Sequence, residues 1–276
     1  MRTARGPRGM SLVPSANSVR ATLVAVLLAA CSPSFQPKQF HTNTDLFAAS
    51  MKEYERKHWD NAITGFERLT LDLSPRDTLL PHAHWFLAVA HEGKGEHLLA
   101  AASFLRLAET FPDDSLADDA LLNAGDAYAR LWRDPALDPQ YGSLAQLQYR
   151  QLASIYPDSP LADSAQKRSA HIDDLMAQKD YNTAVHYVRR KCFDCALIYL
   201  KDVVKNYQNS LVARDALMRM VEVYRNPLMN YRDEAAETCV TLRTAYPADP
   251  GVIKLCPGSA TADSTTRAAK PAKPAR

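Results

Sequence analysis

One spacing constrains this chain more than any other feature it has. An alanine is followed four positions later by a bulky residue and three beyond that by another apolar one. The triplets are Ala62, Phe66, Leu69; Ala100, Phe104, Leu107; Ala145, Tyr149, Leu152; Ala196, Leu200, Val203; and Ala235, Cys239, Leu242. Residues at i, i+4 and i+7 share one stripe of an α-helix. The small residue lets a neighbouring helix come close, and the large one fills the gap a turn away. The stripes run out at Ser74-Pro75, Phe111-Pro112, Tyr156-Pro157, Tyr207-Gln208 and Tyr246-Pro247. Proline cannot continue a helix and pushes the residue before it out of the helical region, so these pairs are sharp stops. The four aromatic stops lie 45, 51 and 39 residues apart. Five copies in series predict an all-α solenoid of about five helical hairpins over residues 44–256.

The small-x3-large half followed by proline resembles the second helix of the tetratricopeptide repeat. Gly125 and Tyr128 match that repeat's Gly-x2-Tyr, and Trp59 stands where it packs the hairpin turn. The first repeat spans about Thr44–Leu73, with Lys57-His58-Trp59-Asp60 as its turn. The second runs from about Leu80 to Phe111, with Gly93 and Gly95 in its turn, and the third begins near Ser115. Between the third repeat's helices, Arg133 to Gly142 reads as a loop about seven residues longer than the repeat requires, marked by two prolines and a glycine. The fourth repeat opens with a long helix from about Leu161 to Lys191, with a possible break near Lys179-Asp180. The fifth runs from Ser210 to Tyr246. Likeness to this repeat implies that the first helices line a groove, and counting positions gives Phe47, Met51, Tyr54 and Glu55, then His82, Trp85, Val89 and Glu92, then Asp126 and Arg130. Large rings with a few polar groups suit an extended or amphipathic peptide. Phe47, Met51 and Val89 read equally well as inter-helix core, whereas Tyr54 and Trp85 are expected to be the more exposed.

Arg20 precedes the apolar run Ala21–Ala30, broken only by Thr22, and then Cys31. A basic lead, a short apolar segment and small residues before a cut site make a secretory signal over residues 1–30, too short to span a membrane. The basic lead leaves Met1 and Met10 both as starts. Leu28-Ala29-Ala30-Cys31 resembles a bacterial lipobox, which implies cleavage before Cys31 and lipidation of that cysteine, with Ser32 favouring the outer membrane. Residues 31–43, with Pro33 and Pro37, read as an extended lipidated tether. Residues 257–276 read as a disordered basic tail. The ends carry +4 over residues 1–30 and +3 over 257–276 of a total of +2, so the body stands at −5. A mildly acidic body argues against a general nucleic-acid grip.

No nucleophile elbow, phosphate loop, dinucleotide fingerprint or zinc-protease helix is found in the sequence, so an enzyme is not expected. Acid pairs such as Asp113-Asp114, Asp118-Asp119 and Asp173-Asp174 are sequence neighbours and do not face each other on a helix. His82, His84 and His91 lack the acid-flanked i,i+4 pairing of a metal site, and no metal or cofactor is expected beyond the lipid. Cys192 and Cys195, with no histidine following, do not make a haem attachment site. With Cys239 and Cys256 they allow a four-thiolate zinc site or two disulfides. An oxidising periplasm favours disulfides, with Cys192–Cys195 and Cys239–Cys256 the preferred pairing of three.

A lipobox cysteine, a short tether and five tetratricopeptide repeats together resemble the BamD family of the bacterial β-barrel assembly machinery. Ala117-Asp118-Asp119-Ala120-Leu121, Arg133-Asp134-Pro135 and Tyr156-Pro157-Asp158-Ser159 are similar to that family, as are Tyr187-Val188-Arg189-Arg190 and Val204-Lys205-Asn206-Tyr207. The resemblance implies an outer-membrane lipoprotein on the periplasmic face. Its N-terminal repeats would receive unfolded outer-membrane clients or partner lipoproteins, and its C-terminal repeats would dock a BamA-type insertase. In that region Arg189, Arg190, Arg214, Arg219 and Arg225 are the candidates to pair with acids on the partner. The other function class that fits is a tetratricopeptide lipoprotein adaptor for peptidoglycan synthesis or division. Lys191, where a turn glycine is expected, and Gln208, where a proline is expected, depart from the pattern.

Overall fold

The predicted stripes are buried to the last residue. All five alanines are at most 3% exposed, and so are the ten larger residues that follow them. In the computed structural model, which describes residues 35–257, the stripes belong to the second helices of five consecutive hairpins. The hairpins are α1 (Asn43–Glu55) with α2 (Trp59–Asp72), α3 (Leu79–Lys94) with α4 (His97–Thr110), and α5 (Ala117–Leu131) with α6 (Gln140–Ile155). These are followed by α7 (Ala162–Arg189) with α8 (Phe193–Asn206), α9 (Ala213–Tyr224) with α10 (Arg232–Ala245), and a short α11 (Pro250–Leu255). Each helix packs chiefly on its sequence neighbours, so the chain is an all-α solenoid.

Two kinds of turn recur, and both follow from capping chemistry. Within three hairpins the first helix ends on a residue in the left-handed region: Lys57 (φ 62°), Gly95 (φ 84°) and Lys191 (φ 61°). The next amide then reaches back five residues: His58 N–H to Glu53 O (2.9 Å), Glu96 N–H to His91 O (2.9 Å) and Cys192 N–H to Tyr187 O (3.0 Å). This bonding satisfies carbonyls that the helix end leaves unpaired. Lys191 therefore adopts the conformation that Gly95 adopts, at the cost a side chain carries there. Asn230 (φ 52°) closes a wider turn in the fifth hairpin.

Between hairpins, a tight turn is closed by the third residue after each stop, which then helps start the next helix. The amides of Asp77, Asp114, Ser159, Ser210 and Asp249 donate to Ser74, Phe111, Tyr156, Tyr207 and Tyr246 carbonyls at 2.9–3.2 Å. The side-chain oxygens of Asp77, Asp114, Ser159 and Asp249 accept the amide two residues on, at 2.8–3.0 Å. The fourth turn, where Gln208 stands for proline, keeps the backbone bond, but Leu211 N–H donates to Asp174 (2.9 Å) instead and the Ser210 hydroxyl is buried without a partner among the described residues. The missing proline thus leaves the turn in place.

Four expectations need correction. The segment expected as an extended tether is not extended over its last part: Pro37–Gln39 form a 3-10 turn, the Phe35 and Phe40 rings lie 5.7 Å apart, and both pack on the first hairpin. Two phenylalanines beside an apolar face gain more by burial than by solvation. The long loop spans only residues 132–139, because Gln140-Tyr141-Gly142 already turn as α6. Gly142 is there for close packing: a Cβ would fall 2.2 Å from the Trp132 ring. Gly93 likewise lies inside α3, where a Cβ would fall 2.8 Å from Trp59. The possible break near Lys179 is absent, and α7 is continuous for 28 residues, roughly 42 Å. The signal peptide, Cys31 and all of the basic tail but Pro257 lie outside the described residues.

The long helix joins two bodies of core. Ala162 through Met176 belong to the core of the second and third hairpins, and Ala177 and Ala184 to that of the fourth and fifth. Lys179 sits just past the boundary and donates to the Pro135, Ala136 and Leu137 carbonyls (3.3, 3.4 and 2.8 Å). The inserted loop therefore wraps the ammonium at the joint.

Relief of the left-handed strain is measurable. Lys191→Gly is expected to raise the unfolding free energy by about 0.5–1 kcal/mol in urea titration, and Gly95→Ala to lower it by a similar amount.

Candidate interaction surface

The residues expected to line a peptide groove fall into two groups, rings and charges. Phe47 of α1 is half-buried, 5.7 Å from Phe66 and 6.1 Å from Phe86 between ring centroids. Tyr54, two turns further along the same face of that helix, lies 5.6 Å from both Trp59 and Phe86. Met51 and Val89 are half-buried against the first and middle cores respectively. Trp85 stands edge-on to Phe104 at 5.2 Å. Tyr54 and Trp85, expected as the more exposed rings, are therefore partly packed, because the space over each neighbouring second helix needs a ring to fill it. Phe86, which sequence reasoning passes over, is the hub that touches Phe47, Tyr54 and Phe66. Its only sequence signal is its place next to Trp85. His82 is exposed, its ring nitrogen 3.2 Å from the Thr78 carbonyl.

The charged positions pair between repeats. Glu92 of α3 is bonded by Arg130 of α5 and by His97 at 3.0 Å. Asp126 of α5 is bonded by Arg168 of α7 and accepts the Tyr149 hydroxyl at 2.8 Å. Tyr149 is buried, and burial followed by the Asp126 hydrogen bond pushes its phenol well above the usual tyrosine range, so it stays a donor. Gly125 lies beneath this bond, since a Cβ there would fall 2.4 Å from the Tyr149 ring. Polar side chains on successive first helices thus tie one repeat to the next. Glu55 is exposed.

The opposite face of α3 borders a cleft of about 360 Å³. Its floor is His84, Leu87 and His91, and its walls are Leu71 from α2 with Leu99 and Arg106 from α4. Leu71 and Leu99 are 78% and 50% exposed, so the rim is apolar. His91 is held by Glu96 at 2.8 Å, whereas His84 Nδ1 is buried with no partner among the described residues. Burial, then the nearby Arg106 charge, pulls the His84 pKa below the usual histidine value.

The C-terminal arginines divide. Arg189 and Arg190 end α7 in solvent, with no side-chain hydrogen bond or ion pair among the described residues. Arg214 bonds Asp215 (2.7 Å) and Asp249 (2.6 Å), and Arg219 bonds Glu222 (2.7 Å). Arg225 donates to the Leu255 carbonyl (2.6 Å) and lies 3.4 Å from Cys239 Sγ. Arg214 and Arg225 therefore fasten α11 to the fifth hairpin. Cys239 and Cys256 are bonded to each other, Cα–Cα 5.4 Å, as are Cys192 and Cys195 at 5.3 Å. Among the described residues no cluster of three metal-ligating side chains occurs, and no helix is long and apolar enough to cross a membrane.

Fold and surface together define a tetratricopeptide-type solenoid whose polar face is cross-tied and whose free features are a cleft, a ring-lined edge and a basic helix end. The chain belongs to the YfiO outer membrane lipoprotein family, whose model matches residues 40–239. It is similar to the outer membrane protein assembly factor BamD of Vibrio cholerae serotype O1, 31% identical over 88 residues, which cover 32% of this chain and 36% of that protein. The alignment thus spans about a third of that relative's length. Among solved structures it is similar to the TPR domain of P58(IPK), at 13% identity and TM-score 0.40, over 88% of this chain and 59% of that one. It is also similar to a thermophilic TPR protein of Thermus thermophilus, at 18% identity and TM-score 0.33, over 78% of this chain and 97% of that one.

The buried His84 has a pH signature. Its lowered folded pKa means that the unfolded chain binds the extra proton as pH falls below about 6.5, so stability is present above that pH and lost below it. Urea midpoints are expected to drop between about pH 7 and 5, and His84→Phe is expected to flatten that drop.

Proposed function

We propose that this chain is a non-enzymatic, outer-membrane-anchored scaffold of the β-barrel assembly machinery. Membership of the outer membrane lipoprotein family over residues 40–239 carries the reading, and the segment Leu28-Ala29-Ala30-Cys31 supports it. Cys31 is the lipidated residue, and the lipid holds the solenoid at the periplasmic face of the outer membrane. No other cofactor and no nucleic acid takes part. The N-terminal repeats receive the unfolded client along the edge formed by Phe47, Met51, Tyr54, His82, Trp85 and Val89, with Asp126 and Arg130 continuing it. Half-buried rings backed by other rings are preorganised, so a peptide that docks on them orders little else.

The C-terminal repeats dock a BamA-type insertase, and Arg189 and Arg190 are its first contacts because, of the five candidate arginines, these two have no partner among the described residues. Arg214, Arg219 and Arg225 support that surface through their own bonds to Asp215, Asp249, Glu222 and the Leu255 carbonyl. Holding client and insertase on one rigid solenoid raises the concentration of one at the other. Other assembly lipoproteins share the same body.

Two substitutions test this. Cys31→Ser is expected to move the protein from the membrane pellet to the soluble periplasmic fraction. Arg189→Glu with Arg190→Glu is expected to weaken capture of the insertase about tenfold or more without changing the thermal melt. Unchanged capture would remove these arginines from the interface.

A further inference from the structure

The two disulfides differ in what they hold. Cys239 and Cys256 are 3% and 1% exposed, and their bond crosses 17 residues to staple α11 onto α10. Cys192 and Cys195 are half-buried and three residues apart, within the first turn of α8. A bond across one helical turn joins residues that the helix already joins. The turn does not depend on it either, since the first two hairpins make the same left-handed turn with Lys57-His58 and Gly95-Glu96 and no cysteine.

The setting is reactive. Cys192 is the N-cap of the 14-residue α8 and makes no side-chain capping bond while oxidised. The first-turn amides, Cys195 N–H among them, would stabilise a thiolate released at that position. Arg189, Arg190 and Lys191 immediately precede it, all exposed, and Asp194 is the one acid in the turn. A partly exposed thiol in electropositive surroundings at a helix N-terminus has the features of an exchanging cysteine.

We infer that Cys192–Cys195 is an exchange-active disulfide, open to reduction by an anionic thiol while Cys239–Cys256 stays closed. The incoming thiolate attacks Cys195 Sγ, the S–S bond breaks, and its electron pair leaves on Cys192 Sγ, the better leaving group at the helix end. A second thiolate attacks the mixed disulfide and expels Cys195, which takes a proton from water. Two donor thiols become one donor disulfide, and two electrons pass to the protein. The inference stands independently of the proposed assembly role.

The test equilibrates the folded full-length chain in reduced and oxidised glutathione, traps free thiols at low pH and reads each cysteine by mass spectrometry. Cys192–Cys195 is expected to be half reduced at a glutathione ratio about a hundredfold more oxidising than Cys239–Cys256 needs. The helical circular dichroism is expected to be unchanged at that point. In the selectively reduced protein, Cys192 is expected to alkylate about five- to tenfold faster than Cys195 at neutral pH. The inference is overturned if the two disulfides open together, if opening the first melts helix, or if Cys195 reacts as fast as Cys192.

Discussion

The structure depends on one contact repeated five times, a second-helix alanine against a neighbouring helix. Ala62, Ala100, Ala145 and Ala196 are wholly buried and Ala235 nearly so, which is possible only if backbones approach closely there. Close approach opens a gap one turn on, and Phe66, Phe104, Tyr149 and Leu200 fill it. Full burial of such a side chain is worth roughly 1.5–3 kcal/mol. The fifth copy has only Cys239 in that place, and there the space is completed by its disulfide partner Cys256 and by Val252 from α11, both within 1% of full burial. The short terminal helix is therefore the cap of the solenoid, as a terminal repeat requires.

Where the spacing between repeats stretches, a second device appears. The 51-residue interval between Tyr156 and Tyr207 contains α7, which is about twice the length of the other first helices. One half of it packs on the hairpin before and the other half on its own hairpin, so a single rod carries two bodies of core. Lys179 at the joint is wrapped by the carbonyls of the residue 132–139 loop. Insertion and long helix thus occupy the same place in space, though the sequence separates them by about 40 residues.

Much of the fold was legible because its determinants are local. Each Ala-x3-large stripe and its stop lie within thirteen residues of each other and need no tertiary knowledge. Helix α11 carried a local signal, Asp249 as N-cap and Pro250 at the first helical position, but beside the low-complexity tail it was not expected. Two of the glycines were not legible. Gly93 and Gly142 look like turn residues and serve as contact surfaces for Trp59 and Trp132, which only packing reveals. The surface was least legible. Whether an arginine is free depends on partners such as Asp249 and Leu255, 35 and 30 residues away from Arg214 and Arg225. Likewise Asp126 and Glu92 occupy positions that line a groove by count, and cation partners two helices on engage both.

On the proposed reading, a cross-tied solenoid of this kind acts by what it holds together. The most direct measurement is purification of the tagged, lipidated protein from solubilised outer membrane, with its partners weighed by mass spectrometry. Stoichiometric recovery of a large β-barrel protein with periplasmic domains is the expected result. Recovery of peptidoglycan synthases in its place would contradict the assembly role and leave the fold standing.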